Sequence, residues 1–350
     1  MYSHNETKTV YAGKVAIGGG NAVTVQSMLS TPSTDIAGSI AQAKALVDAG
    51  CEIVRIAVPD MEAVKLVSAL KENINVPIVA DIHFDYKLAL ASADAGVDKI
   101  RINPGNIGDD SKVKAVADKC KSLNIPIRIG VNSGSVEKSI LAKYGSPTAD
   151  ALVESAMYHA SLLNKFDFDD IVISMKSSNV HTMYEAYVKA AQICNYPLHL
   201  GVTEAGTEKK GIIRSSAGIG GLLLRGIGDT IRVSLTDDPV KEVAAAKELL
   251  KAVGLRDSGV RIVSCPTCGR TRIDLIGLAK RVEDALENCD KNITVAVMGC
   301  AVNGPGEAKE ADVGIAGGDG CGLIFKKGEI IRKVAENELF DELMKEIDRM

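Results

Sequence analysis

Cations recur at the ends of short β-branched runs along this chain. Arg55 lies in VRIAV, Arg101 with Asn103 in KIRINPGN, Arg128 with Asn132 in IRIGVN, Lys176 in VISMKSS, and Arg232 with Ser234 in IRVSLT. In an extended strand, alternate residues share a face, so Arg101 with Asn103, Arg128 with Asn132 and Arg232 with Ser234 can all point the same way. Gathering that many positive groups without counter-ions is costly. The chemistry they suit is recognition of a strongly anionic ligand, most naturally a di- or polyphosphate held by planar guanidinium forks and backbone amides. The plainer alternative pairs each cation with a nearby carboxylate such as Glu52, Asp81 or Asp98. That would serve for one cation and serves poorly for five.

Acid–base candidates accompany these runs. Asp81 and His83 fall on one face of VADIHF, His199 opens HLGVTEAG, and Glu204 closes it. A buried carboxylate with a raised pKa could protonate a leaving oxygen. His199 reads as a hydrogen-bonded core residue, so His83 and Glu204 are the stronger catalytic candidates. Thiols form a third set. SCPTCGR places Cys265 and Cys268 at a spacing that grips one metal centre, and Cys300 follows later in MGCAVNGPGEAKEADVGIAGG, with Glu307 seven residues on. Structural zinc would want a fourth ligand, which Cys321 in GDGCGL could supply, although it has no close-paired partner. An iron–sulfur cluster accepts well-separated thiolates in Gly-rich loops, and three thiolates leave one iron for an oxygen ligand or a substrate. Cys51, Cys120, Cys194 and Cys289 sit where a small apolar residue would serve.

These residues must be positioned by a repeated phrase of strand, loop and amphipathic helix, with a period of about thirty residues. The predicted strands are Thr24–Met28, Glu52–Val58, Ile78–Phe84, Lys99–Pro104, Ile127–Asn132, Ile171–Lys176, Leu198–Glu204 and Ile231–Thr236, with helices such as Ser39–Ala49, Met61–Lys71, Ser111–Leu123 and Thr148–Leu163 between them. Eight such units predict an eight-stranded parallel TIM-type α/β barrel, in which residues at the carboxyl ends of the strands line the mouth. A doubly wound open sheet is the rival. GIGG at Gly218–Gly221 lies inside a crossover and not between a strand and a helix, so it is no dinucleotide fingerprint. After Gly254 the pattern changes, giving a barrel over residues 1–254 and a small α+β thiol-bearing domain over 255–350. Tyr2–Gly20 suggests a hairpin, and KKGEIIRK at Lys326–Lys333 a solvated one.

The 350 residues are 46% hydrophobic and 25% charged, which excludes disordered and low-complexity classes. A formal charge of -4 and 4% aromatic content without Trp speak against a nucleic-acid partner. No apolar run reaches membrane-spanning length, the start MYSHNETKTV has no targeting character, and eight cysteines suit reduced thiols, so the expectation is a cytoplasmic protein without a membrane partner.

The set DIHF, RINPGN, IGVN, SMKSS, GVTEAG, IRVSLT, SCPTCGR and NGPGEAKEADVGIAGG, covering nearly the whole chain, resembles the bacterial 4-hydroxy-3-methylbut-2-enyl diphosphate synthases of the methylerythritol phosphate route to isoprenoids. The resemblance implies a barrel that binds 2-C-methyl-D-erythritol 2,4-cyclodiphosphate and a small domain, similar to part of sulfite reductase, that carries a 4Fe-4S cluster. It implies Cys265, Cys268, Cys300 and Glu307 as cluster ligands, and Arg55, His83, Arg101, Arg128, Asn132, Lys176, Arg232 and Ser234 as diphosphate ligands, with Asn103 beside them. It implies Glu204 near the reacting carbons and a ferredoxin or flavodoxin as electron donor. About ten residues separate Gly254 from Cys265, which marks the two-domain form. The other readings are a zinc-stabilised barrel acting on a phosphorylated or pterin substrate and a non-catalytic iron–sulfur carrier. Barrel direction adds a homodimer: a final helix over roughly Pro239–Val253 releases the chain away from the mouth, and a linker of about ten residues spans at most about 35 Å, so each thiol domain would cap its partner's barrel.

Overall fold

The computed structural model describes residues 7–256, 259–287, 289–302, 306 and 308–350. The chain divides into two compact units, residues 1–256 and 257–350.

The first unit is a parallel barrel. Its strands are β3 (Thr24–Met28), β4 (Ile53–Ala57), β5 (Ile78–Asp81), β6 (Lys99–Ile102), β7 (Ile127–Asn132), β8 (Ile171–Lys176), β9 (His199–Leu200) and β10 (Thr230–Ile231), preceded by a hairpin of β1 (Val10–Ala12) and β2 (Val15–Ile17). Neighbours pair in sequence from β3 to β8, while β10 lies between β3 and β9. The remaining gap, between β8 and β9, is bridged by Ile173 and Leu198. The β-branched residues explain why these segments are strands. On β6 and β7, Ile100, Ile102, Ile127 and Ile129 are fully buried and belong to the large core shared with the surrounding helices. Each such side chain contributes about 1.5–3 kcal/mol on burial. The alternating residues Lys99, Arg101 and Arg128 are left to face the interior. At the amino end of the strands, Ala12 and Ile17 of the hairpin pack on Ile53 and Val79 and close the barrel floor.

The helices follow the sequence pattern closely. The helix Asp110–Leu123 starts at Asp109, whose carboxylate accepts from the Ser111 amide, and the helix Ala149–Asn164 starts at Thr148, whose hydroxyl accepts from Ala151. Several strands are shorter than expected at their carboxyl ends. Thr203 and Ser234 still line the mouth, but the chain there has left the ladder, because strands diverge at the rim and inward polar residues turn to the cavity.

The second unit is a mixed five-stranded sheet of β11 (Arg261–Ser264), β12 (Thr294–Met298), β13 (Val313–Gly317), β14 (Cys321–Lys326) and β15 (Glu329–Ala335) in sequence order. The strands β11, β12 and β13 are parallel; β14 and β15 return antiparallel. Helices Leu275–Leu286 and Leu339–Asp348 place Leu275, Val282, Leu339 and Leu343 on the sheet to form its core.

Candidate active site

Seven of the sequence-predicted residues converge in the barrel mouth. Arg55, Arg101, Arg128, Asn132, Lys176, Arg232 and Ser234 line one cavity of about 130 Å3 together with Met28, Gly130, Ser174 and Thr203. They come from five strands or strand ends, as the alternation requires.

The charge balance there is uneven. Asp81 bridges two of the cations, accepting from Arg55 Nη2 at 2.6 Å and from Arg101 Nη1 at 3.1 Å. Burial would raise its pKa, but Arg55 and Arg101 outweigh that and hold the carboxyl well below the usual range. Asp81 is therefore a fixed anion, which corrects the expectation of a proton-donating buried carboxylate on this strand. Glu242, from the helix Pro239–Ala252, takes a bidentate contact from Arg232, at 3.1 Å from Nη2 and 3.3 Å from Nε. Glu52 and Asp98 serve elsewhere, paired with Arg256 and Lys71. Two carboxylates thus face five cations. Arg128 is 1% exposed, and its Nε and Nη2 have no hydrogen-bond partner among the described residues. Burial, reinforced by Arg128, Arg232 and Arg55, drives the Lys176 pKa well down. A site short of negative charge and rich in unengaged donors fits a multiply charged anion.

Two glycines make room for this array, and sequence reasoning passed over both. A Cβ on Gly130 would lie 2.2 Å from Arg101 Nε, and one on Gly201 would lie 2.9 Å from Lys176 Cε and Nζ. Arg101 also donates to the Gly130 carbonyl at 2.6 Å. Their signal was legible as glycine at an inward position between Arg128 and Asn132, and again after His199. Gly130→Ala and Gly201→Ala are expected to retain the fold yet weaken anion binding about 10- to 100-fold by displacing one cation each. Titration calorimetry against the wild-type chain would measure this, and unchanged affinity in both would refute the close packing as the cause.

His83, Asn103 and Glu204 are not among the residues lining that cavity. The His83 side chain is 57% exposed, with Nε2 3.9 Å from the Asp81 carboxylate. Asn103 is buried and reaches Ser135 Oγ at 3.4 Å. Glu204 is exposed on the loop after β9 with φ +53°, a left-handed conformation uncommon for a non-glycine residue. His199 is fully buried as expected, but neither ring nitrogen has a hydrogen-bond partner among the described residues. A further pair escaped the sequence reading. His159 is fully buried, accepts from the Gly105 amide at 3.1 Å through Nδ1 and meets Glu137 at 2.5 Å through Nε2. It tethers the PGN turn that follows Asn103. A lone helical histidine gives no sign of that role in sequence.

In the second unit the thiols issue from one end of the sheet. Cys265 follows β11 and Cys300 follows β12, and the two strands are parallel neighbours in which Ser264 pairs with Val297. The Gly299 amide donates to Cys265 Sγ at 3.1 Å. Cys268 is exposed, and its pKa is lowered chiefly by the Arg270 backbone amide. Amide donation to sulfur and a thiol biased toward thiolate both suit an iron–sulfur centre. Cys321 opens β14 opposite the end of β13, which brings it to the same end of the sheet. Glu307 lies outside the described residues. Among the described residues no three metal-ligating side chains lie close enough together to hold a metal ion. Cys51 and Cys120 are buried in the barrel unit, where burial pushes their thiols up to about 11 and about 12.

A parallel barrel with a cationic mouth, followed by a small domain with thiols at one sheet end, defines a class of barrel enzyme for anionic substrates. The chain belongs to the GcpE family: the GcpE TIM-barrel domain matches residues 7–247 and the GcpE protein C-terminal domain matches residues 261–349. It is 60% identical over 346 residues, 99% of each chain, to the 4-hydroxy-3-methylbut-2-en-1-yl diphosphate synthase (flavodoxin) of Clostridium perfringens. The protein of that name from Fusobacterium nucleatum is 57% identical, covering 97% of this chain and 96% of its own. Among solved structures, the dihydropteroate synthase of Yersinia pestis superposes with a TM-score of 0.51 at 16% identity, covering 71% of this chain and 98% of that one, a likeness of fold alone. No described helix is long and apolar enough to cross a membrane.

Proposed function

We propose that this chain catalyses the reductive ring opening and dehydration of 2-C-methyl-D-erythritol 2,4-cyclodiphosphate to 4-hydroxy-3-methylbut-2-enyl diphosphate, with flavodoxin as the electron donor. The observation that carries the proposal is the mouth, where five cations face two carboxylates and Arg128 Nε and Nη2 have no acceptor among the described residues. The names of the relatives supply the product, an allylic diphosphate, and the carrier, flavodoxin. The reaction takes up two electrons and two protons, breaks a carbon–oxygen bond and releases water. Arg55, Arg101, Arg128, Lys176 and Arg232 hold the diphosphate, with Asn132 and Ser234 completing its hydrogen bonds. On this reading Glu204 and His83, exposed outside the cavity lining, are the acid–base candidates for the departing oxygen. Cys265, Cys268, Cys300 and Glu307 would hold a 4Fe-4S cluster, which when bound supplies electrons singly at low potential. The test is anaerobic purification followed by incubation with the cyclic diphosphate and reduced flavodoxin. Brown protein forming the allylic diphosphate is expected; a colourless, zinc-loaded protein without turnover would refute it.

The working unit on this proposal is a homodimer with shared active sites. Arg256, just after the helix Pro239–Ala252, donates to the Val23 carbonyl at the amino end of β3, on the floor side of the barrel. The next strand begins at Arg261, and a linker this short supports capping of the partner's mouth over the chain's own. Mixing Cys265→Ser with Lys176→Ala chains under subunit exchange is expected to raise activity above either parent. No recovery in demonstrated heterodimers, or a fully active monomer in sedimentation, would refute the shared site.

A further inference from the structure

Below the mouth the barrel interior carries several polar side chains whose atoms have no hydrogen-bond partner among the described residues. TIM barrels commonly fill this space with branched apolar side chains. Here Lys99 lies two residues before Arg101 on the same face of β6, and its neighbour across the β5 ladder is Val79. Lys99 is 0% exposed, and its Nζ has no hydrogen-bond partner among the described residues. Gln26, Thr24 and Thr230 are buried with side-chain atoms unpartnered, and Thr24, Thr230 and His199 form one row across β3, β10 and β9. The charged groups acting on Lys99 are Arg128 from β7 and Arg55 from β4, with Arg101 two residues further along β6, and His199 from β9 is its titratable neighbour. The carboxylates of the array are engaged, Asp81 by Arg55 and Arg101, and Glu242 by Arg232. An ammonium in that position would be desolvated, unpaired and set beside guanidinium groups, each of which disfavours the charged form. Burial comes first and Arg128 and Arg55 second in driving the Lys99 pKa well down.

We propose that Lys99 is a neutral amine in the free protein and takes up a proton when the cyclic diphosphate binds above it, so that substrate binding and protonation of this residue are coupled. This rests on the proposed occupancy of the mouth by a diphosphate. Two negative charges placed on Arg128 and Arg55 offset the repulsion that, added to burial, keeps Lys99 neutral. A group whose pKa rises on binding makes affinity depend on pH: binding weakens as pH climbs from the free pKa of Lys99 toward its value in the complex, and levels off above that. Lys99 is thus a positioning residue. Its charge appears only with substrate and draws the anion down into the barrel.

The cyclic diphosphate is a clean probe, because neither of its two phosphate charges titrates near neutral pH and no turnover occurs without reductant. Calorimetric titration of the full chain in buffers of different ionisation enthalpy is expected to show uptake of about one proton per ligand within the window, where the dissociation constant rises about tenfold per pH unit. Lys99→Met should bind with no uptake and a flat pH profile. Binding by the wild-type chain without uptake would overturn the coupling while leaving the diphosphate site standing, and no binding at all would overturn both. Uptake that persists in Lys99→Met would assign the proton to Lys176, which burial also holds low, or to His199, and would overturn the proposal. Should Lys99→Met fail to fold, lysine Cε labelling of the wild-type chain decides. Two amine-like signals, from Lys99 and Lys176, are expected in the free protein, the Lys176 signal identified by its loss in Lys176→Met; the other is expected to become ammonium-like on adding the cyclic diphosphate, and its absence from the free protein or its failure to shift would refute the proposal.

Discussion

Cys300→Ser is expected to lose its iron and all measurable turnover, as are Cys265→Ser and Cys268→Ser, while Cys120→Ser and Cys194→Ser keep both. The contrast follows from where the thiols sit. Cys265 and Cys300 leave the same end of two paired parallel strands, and the Gly299 amide already donates to the Cys265 sulfur. Cys268 lies three residues along, exposed and biased toward thiolate by the Arg270 amide. A serine hydroxyl at any of these positions offers iron a far weaker ligand than thiolate. Cys120 belongs to the barrel core, 1% exposed, with burial raising its thiol to about 12. Cys194 caps the helix Val180–Ile193, and burial raises its pKa too. Neither is a nucleophile or a ligand in the folded chain. Replacing either with serine should cost stability alone, of the order of 1–3 kcal/mol for a buried hydroxyl. Iron analysis and the visible spectrum of each purified variant separate the two groups. Full iron content in Cys300→Ser, or loss of iron in Cys120→Ser, would contradict the assignment.

Much of this was legible in the chain itself, for identifiable reasons. Strand and helix alternate at a regular period, and β-branched strands bordered by capped amphipathic helices leave little freedom of topology. The inward set could be read because the period of two is strict: on β7, Arg128 and Asn132 share a face whatever surrounds them. What could not be read was depth and pairing. Lys99 obeys the same alternation as Arg101, but only the closed barrel shows that it lies below the mouth with no partner. Asp81 looked like an acid because its neighbours across the ladder were unknown; once Arg55 and Arg101 flank it, the field decides its protonation. Gly130 could be seen at an inward position, but not why it must be glycine, since what excludes a Cβ there is a guanidinium from the adjacent strand. The link between His159 and the Gly105 amide joins positions far apart in sequence, and no local pattern announces it.

Arg128→Met is expected to stabilise the fold and to destroy function. The guanidinium is 1% exposed, lacks an acceptor on two of its nitrogens, and has Arg55 and Arg101 as like-charged neighbours. Burial, then those two arginines, lower its pKa far below the ordinary arginine value. In the free protein it is a liability held in place by the surrounding strands. Methionine matches much of its length without the charge, and replacing an uncompensated buried ion by an apolar side chain is commonly worth about 1–4 kcal/mol in stability. The same change removes the mouth guanidinium that has no carboxylate partner among the described residues, whereas Arg55, Arg101 and Arg232 each keep one. Charge-assisted contacts to a diphosphate in a dry site are lost together, at about 3–4 kcal/mol or roughly 100- to 1,000-fold in kcat/KM. A thermal melt showing Tm raised by several degrees, beside a cyclic-diphosphate affinity reduced by about that factor, is the expected outcome. Arg232→Met provides the contrast: it strands Glu242, a carboxylate 3% exposed, and should lower both stability and affinity. If Arg128→Met melted lower than wild type and bound the ligand normally, Arg128 would be a structural cation whose counter-charge lies elsewhere.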